Sequence, residues 1–186
     1  MTTIRVLSPS RPVAIPAPLT LAPRGVPCAG AHLTLIDNGK PKGREILEML
    51  AEKLRAMMEI GTVEVFAKTT GAGVPLPAAI AAAIAERSDL VITAIGDCGA
   101  CSACSMHDAV QMELHGVPAT VLITDVFQRS VAAHAHALGA DGYHMVVLPH
   151  PVSSRSDERL RTLVHAVAPI AFEQLTVPAG ALATAG

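Results

Sequence analysis

Apolar and polar residues alternate in blocks along the chain, and the period of the pattern changes from block to block. Leu33–Ile36, Thr62–Ala67, Leu90–Ile95, Ala119–Thr124 and Met145–Leu148 are short, near-continuous apolar runs, as strands covered on both faces require. Between them, apolar positions recur at helical spacing. Arg44–Met58 places Ile46, Leu47, Leu50, Leu54, Met57 and Met58 on one face. Pro77–Glu86 predicts an Ala-rich helix, Ser102–His115 a helix stopped by Gly116-Val117-Pro118, and Val126–Leu138 a helix capped by Gly139. Arg155 to Leu175 predicts a last helix, with a break or kink at Pro169.

Five strand–helix units in succession predict an α/β fold: a three-layer parallel sheet with helices on both faces, flavodoxin-like or Rossmann-like. Ligands of such sheets bind beyond the carboxyl ends of the strands. That rule selects Asp37-Asn38-Gly39-Lys40, Lys68-Thr69-Thr70-Gly71, Asp97-Cys98, Thr124-Asp125 and His150-Pro151. Each of these segments carries polar or ionisable groups, and a functional site is expected where they converge.

The flanks differ in kind. Residues 1–31 hold Pro9, Pro12, Pro16, Pro18, Pro23 and Pro27 and read as an extended arm, which wraps the domain, wraps a neighbouring subunit or stays disordered. Residues 32–178 form the single α/β domain, and the Ala/Gly/Thr-rich residues 179–186 read as a flexible tail. The 186 residues suffice for one domain with a proper core.

Charge and composition narrow the function. A net charge of −2 without a basic run argues against nucleic acid as a partner. No apolar stretch reaches the roughly 18 unbroken residues of a membrane span, and the start of the chain lacks the basic-then-apolar order of a secretion signal. A cytoplasmic location is therefore expected. In a reducing compartment, clustered cysteines point to catalysis or metal binding rather than to structural disulfides.

Three of the four cysteines fall in Gly96-Asp97-Cys98-Gly99-Ala100-Cys101-Ser102-Ala103-Cys104, where an apolar strand ends and a helix begins. Free N–H groups and the positive end of the helix dipole favour a thiolate at such a place. Cys98 and Cys101 have the spacing of a thiol/disulfide couple, the first attacking and the second resolving the adduct. Asp125 and His150 are candidates to bind or move protons. Asp37, Asn38, Lys40, Thr69 and Thr124 are candidates to bind substrate. Asp37 and Asp125 can equally cap the helices that follow them. Asp97 is awkward beside Cys98, because a carboxylate turned toward the thiol would oppose its ionisation; it is expected to point away or to accept backbone N–H bonds.

A metal is the alternative use of the cluster. Cys98, Cys101, Cys104 and His107 are each three residues apart, but four consecutive ligands at that spacing close poorly around tetrahedral zinc. No organic cofactor is implied: Thr69-Thr70-Gly71-Ala72-Gly73 lacks both the dinucleotide fingerprint and the Lys-Ser/Thr of a P-loop. Cys28 in the arm and His134 and His136 on the fourth helix read as incidental.

The segment Gly96-Asp97-Cys98-Gly99-Ala100-Cys101-Ser102, followed by Ser105-Met106-His107-Asp108-Ala109, resembles the UGSC-motif family. Selenocysteine-Gly-Ser-Cys occupies this turn in selenoprotein members of that family, and cysteine-containing members exist. Asp37-Asn38-Gly39-Lys40-Pro41, preceded by Leu21-Ala22-Pro23-Arg24, looks like the family's opening motif, and His150-Pro151 also fits. The resemblance implies that Cys98 replaces selenocysteine, that Cys101 is the partner thiol, and that Ala100 stands where the motif has serine. The family is similar to the selenocysteine-bearing part of the substrate-binding component of glycine, sarcosine and betaine reductases. The expectation is a cysteine-dependent enzyme, a thiol oxidoreductase or reductase, acting on a small polarised molecule. The alternatives are a lyase, hydrolase or hydratase using Cys98 without redox change, and a metal-bearing, non-catalytic subunit of a larger complex. A larger protein partner or a homodimer suits the apolar helices and the proline arm.

Overall fold

The computed structural model describes residues 16–178. Its five strands are β1 Ala31–Asp37, β2 Ile60–Ala67, β3 Leu90–Gly96, β4 Ala119–Thr124 and β5 Val146–Leu148. They form one parallel sheet in the order β2-β1-β3-β4-β5. The helices between and after them are α1 Gly43–Arg55, α2 Ala78–Ala85, α3 Gly99–Leu114, α4 Gln128–Ala137 and α5 Asp157–Thr176. This is the expected three-layer α/β fold, with the flavodoxin-like strand order.

Alternate side chains of each strand feed two cores. Leu33, Leu35, Leu90, Ile92 and Leu122 pack with Ile46, Leu47 and Leu50 of α1 and Leu160, Val164 and Ala171 of α5. Ile36, Val91, Val121 and Ile123 face the other way, onto Ile84 of α2, Met106 and Met112 of α3 and Val131 of α4. Each fully buried large aliphatic side chain contributes about 1.5–3 kcal/mol. The sheet is therefore held from both sides at its central strands, while the edge strand β2, expected to be covered on both faces, is half-exposed.

Some element ends depart from the sequence pattern for local reasons. The helix α1 stops at Arg55, so Met57 is 39% exposed while Met58 turns back into the core. Continuous helix runs through Pro169 rather than breaking there: Val167, Ala168, Ala171 and Leu175 stay buried on either side, and packing outweighs the missing N–H. A single turn of 3-10 helix, Asp125–Phe127, precedes α4. Among the described residues, no helix is long and apolar enough to cross a membrane.

The described part of the arm lies against its own domain, at the end of the sheet opposite the strand carboxyl termini. The Leu19 N–H donates to the Gly139 carbonyl, at 2.7 Å. Arg24 forms a buried ion pair with Glu113 of α3 at 2.5 Å, with side chains 4% and 0% exposed. Glu113 also accepts from the backbone N–H groups of Ala22 and Ala119 and from the Tyr143 hydroxyl. Residues 1–15 and the tail from residue 179 lie outside the described residues.

Glu113 collects donors from the arm, from β4 and from Tyr143, so its loss strands an unpaired buried guanidinium. Glu113→Ala is expected to destabilise the protein by about 3–5 kcal/mol, read from urea unfolding followed by circular dichroism. A loss below about 1 kcal/mol would mean that the arm contributes only as a surface strap.

Candidate functional site

Parallel order with β1 and β3 adjacent places a topological switch between them: the chain leaves β1 toward α1 on one face and β3 toward α3 on the other. Ligand crevices form at such points. The loop after β1, Asn38–Lys42, and the turn after β3, Asp97-Cys98, flank this one.

Gly96 lets α3 come this close to the sheet. A Cβ there would lie 2.7 Å from Ser102 Oγ and 3.0 Å from Ser102 Cα, and would run into the Ile123 side chain. Ser102 Oγ in turn donates to the Cys98 carbonyl at 2.6 Å. Helix α3 consequently starts at Gly99, three residues earlier than its apolar pattern indicates, and Cys98 is its N-cap. Cys101 and Cys104 then both lie on the helix and are buried, whereas Cys98 is half-buried and the following Gly99 and Ala100 are exposed.

The two sulfurs of the Cys-Gly-Ala-Cys turn are in contact, at 2.6 Å, and both cysteines are free. The Cys101 N–H donates to Cys98 Sγ at 3.3 Å. Partial burial works against a Cys98 thiolate. The hydrogen bonds from the Cys101 thiol and backbone N–H, together with the nearby Lys40 ammonium, outweigh it and hold the Cys98 thiol below its ordinary value. Cys101 moves the opposite way: burial, reinforced by its hydrogen bond to Cys98, pushes its thiol up to about 11. The pair is thus divided into an ionisable outer sulfur and a proton-holding inner one.

Lys40 owes its place to a tightly wound loop. Gly39 and Lys42 both have positive φ, at 78° and 67°. Asp37 Oδ1 accepts from the Gly39 N–H at 2.9 Å, and Asn38 Oδ1 from the Lys40 N–H at 3.2 Å. Asn38 is 1% exposed, and its amide nitrogen donates to the Ile95 carbonyl and to Ser105 Oγ. Asn38, expected from its strand-end position to bind substrate, has its polar atoms engaged inside the protein, where they tie β1, β3 and α3 together. Asp37 is similarly engaged with its own loop and lies 3.7 Å from Arg44.

On the other side of Cys98, Asp97 turns into the loop after β5. Its carboxylate accepts from the backbone N–H groups of Val152 and Ser153, each at 3.2 Å. Burial opposes its ionisation, but these bonds and the neighbouring His150 prevail and hold its carboxyl below the usual range. Asp97 Oδ1 lies 3.0 Å from His150 Nδ1. Thr124 Oγ1, on a fully buried residue, lies 3.1 Å from the same ring nitrogen and donates to the Gly96 carbonyl at 3.0 Å. Asp125 is exposed, and its carboxylate accepts from the His150 backbone N–H at 3.2 Å. Asp125 shapes the loop that presents the imidazole.

Thr69 is exposed on the loop after β2 and has no bond to the cysteine turn. The residue before it does more. Lys68, unremarkable in sequence, is buried and pairs with Asp108 of α3 at 2.5 Å, both side chains at 0% exposure. Asp108 Oδ1 also accepts from the Leu76 N–H, clamping the Gly-rich loop onto α3. His107, its base weakened by burial, pairs with Gln111 at 3.0 Å rather than with sulfur. Burial raises the Cys104 thiol. Among the described residues, no three His, Cys, Asp or Glu side chains come together as a metal would need. The alternative ligand set Cys98, Cys101, Cys104 and His107 is thus not assembled.

These elements define an α/β protein carrying a polarised thiol pair at the carboxyl-end rim of a flavodoxin-like sheet. The chain belongs to the UGSC family, whose family model matches residues 5–177. No curated protein matches it. Sequence reasoning missed Asp97 as a partner of His150 and Lys68 as a partner of Asp108. The signal available for both was position alone: each lies at the carboxyl end of a strand.

Gly96→Ala is expected to push α3 away from β3, at a cost of about 1–3 kcal/mol, and to slow iodoacetamide labelling of Cys98 in the native protein. Wild-type stability together with an unchanged labelling rate would show that the close approach is not what holds Cys98 at the helix start.

Proposed function

We propose that this protein is a cysteine-dependent enzyme that reduces a small polarised organic molecule by thiol redox at Cys98 and Cys101. The observation that carries the proposal is the division of the pair: an outer sulfur with its thiol held low, in contact with an inner sulfur with its thiol pushed up to about 11. Nucleophile and resolving thiol need that asymmetry.

In this scheme the Cys98 thiolate attacks a substrate R–L. The S–R bond forms, and L leaves with the bonding pair and takes a proton from His150. Adduct formation removes the charge on Cys98 and its hydrogen bond, two of the causes that keep Cys101 protonated. Cys101 then ionises and attacks the Cys98 sulfur. The S–S bond forms, the S–R bond breaks, and R keeps the pair and gains a proton. The sum is R–L plus two thiols giving R–H, L–H and a disulfide, with the substrate reduced by two electrons. A dithiol reductant supplied from outside the chain returns the pair to its starting state. Lys40 stabilises the attacking thiolate and is a candidate to hold an anionic group of the substrate. The resemblance read in the sequence, between this family and the selenocysteine-bearing part of the glycine, sarcosine and betaine reductases, is the reason for preferring the redox form.

A second reading is favoured by the contact of His150 with Asp97. An imidazole oriented by a carboxylate whose next residue in the chain is a cysteine suits covalent catalysis without redox change, as in a hydrolase or lyase. Cys101→Ala separates the two. It abolishes turnover in the redox scheme and leaves part of it in simple covalent catalysis.

The first experiment is pH-dependent alkylation of the native protein, with each cysteine resolved by mass spectrometry. Cys98 is expected to react fastest, with an apparent pKa below the free-thiol value of about 8.5. Because the Cys101 hydrogen bond and the Lys40 charge both lower it, Cys101→Ala and Lys40→Met should each move that midpoint upward. A Cys98 that labels no faster than Cys28 would remove the basis of the proposal.

A further inference from the structure

The hydrogen bonds around His150 fix which of its nitrogens carries the proton. Two oxygens face Nδ1, Asp97 Oδ1 at 3.0 Å and Thr124 Oγ1 at 3.1 Å. A carboxylate has no hydrogen to give. The Asp97 carboxylate already accepts from Val152 N–H and Ser153 N–H, which favours its ionised form. The Thr124 hydroxyl has one hydrogen, committed to the Gly96 carbonyl at 3.0 Å. Both neighbours can only accept, so Nδ1 must be the donor.

The ring is held against rotation as well. It meets the Phe127 ring edge-on, with centroids 5.6 Å apart and planes at 79°. Its backbone N–H is tied to Asp125. Flipping the imidazole would set a carbon against two oxygens, one of them on the side chain of Asp97, which is 4% exposed.

We propose that Asp97 is the positioning residue of this site: its carboxylate locks His150 in the Nδ1–H tautomer, so that Nε2 is the atom that exchanges protons with substrate. The role of His150 in proton transfer rests on the function proposed above; the tautomer does not. Asp97 directly precedes Cys98 in the chain, so one residue links the sulfur turn to the loop bearing the imidazole. The chemical consequence is specific. When Nε2 is protonated, it gives its proton to a leaving group while Asp97 stabilises the imidazolium. When it is bare, it takes a proton from substrate or water. No tautomer change is needed between the two tasks.

The test is 15N NMR of the His150 ring in selectively labelled protein, at a pH where the ring is neutral, in the wild type, in Asp97→Asn and in Thr124→Val. The wild type is expected to show a pyrrole-type Nδ1 and a bare Nε2. Asparagine must turn an N–H₂ donor toward either the ring or a loop N–H, and its neutral oxygen holds the Nδ1 proton less firmly than a carboxylate does, so Asp97→Asn should raise the Nε2–H population in either orientation. Thr124→Val leaves the carboxylate in place and should keep the wild-type tautomer. A wild-type proton on Nε2, or an unchanged tautomer in Asp97→Asn, would overturn the proposal. The wild-type spectrum alone is decisive if a variant fails to fold. Because no turnover is involved, a wrong tautomer sinks only this assignment, whereas slow Cys98 alkylation sinks the cysteine-enzyme reading and leaves the tautomer standing.

Discussion

Cys98 caps α3 with its sulfur, and a sulfur accepts N–H hydrogen bonds best as a thiolate. The proton of the Cys98–Cys101 pair therefore belongs on Cys101, the buried member, where burial already favours the neutral thiol. Helix capping and burial push in the same direction: the Cys101 N–H bond to the Cys98 sulfur starts a 16-residue helix, and the contact between the two sulfurs polarises the pair. The rest of the rim is arranged around this contact. Gly96 brings α3 close enough for it, Ser102 closes the turn from behind, and Lys40 supplies the charge in front.

The polar groups near the site fall into two classes. Asn38, Thr124, Lys68 and Asp108 are buried and have partners, and they join strand ends to helix starts. An unpartnered amide or charge at such depth costs several kcal/mol, so these groups brace the rim and are poorly placed to be given up to a ligand. Cys98, Lys40 and His150 keep partial exposure and are the groups left to meet one. The opposite end of the sheet has its own brace in Arg24 and Glu113. A cavity of about 560 Å³ there, bordered by the arm and Asp89, lies at the far end of the sheet from the thiols.

The fold was legible because β1, β3 and β4 are covered on both faces and so appear as near-continuous apolar runs, while α1 repeats its apolar positions at helical spacing; the edge strand β2 is half-exposed and carries Glu64. The site was legible only in part. The cysteine turn and His150 stood out by residue type, and the strand-end rule named the loops. What pattern alone cannot show is which polar residue at a strand end is spent inside the protein. Asn38 and Lys40 are two residues apart and equally polar, yet one is sealed among Ile95 and Ser105 and the other reaches the thiol. The difference arises from the left-handed turns at Gly39 and Lys42, which depend on backbone conformation rather than on polarity. Pro169 teaches the converse: a local breaker is overruled when the residues around it are buried in a common core.

Asp97 shows why a residue that looks misplaced in sequence can suit a site. Turned toward Cys98, its carboxylate would raise the thiol and undo the work of the helix start. Two backbone N–H groups from the loop after β5 draw it aside instead, and in that position it faces an imidazole rather than a sulfur. The same two bonds therefore hold a like charge away from the Cys98 sulfur and fix the carboxylate beside the His150 imidazole. That coupling makes the β5–α5 loop part of the sulfur site, although β5 is two strands away from β3 in the sheet.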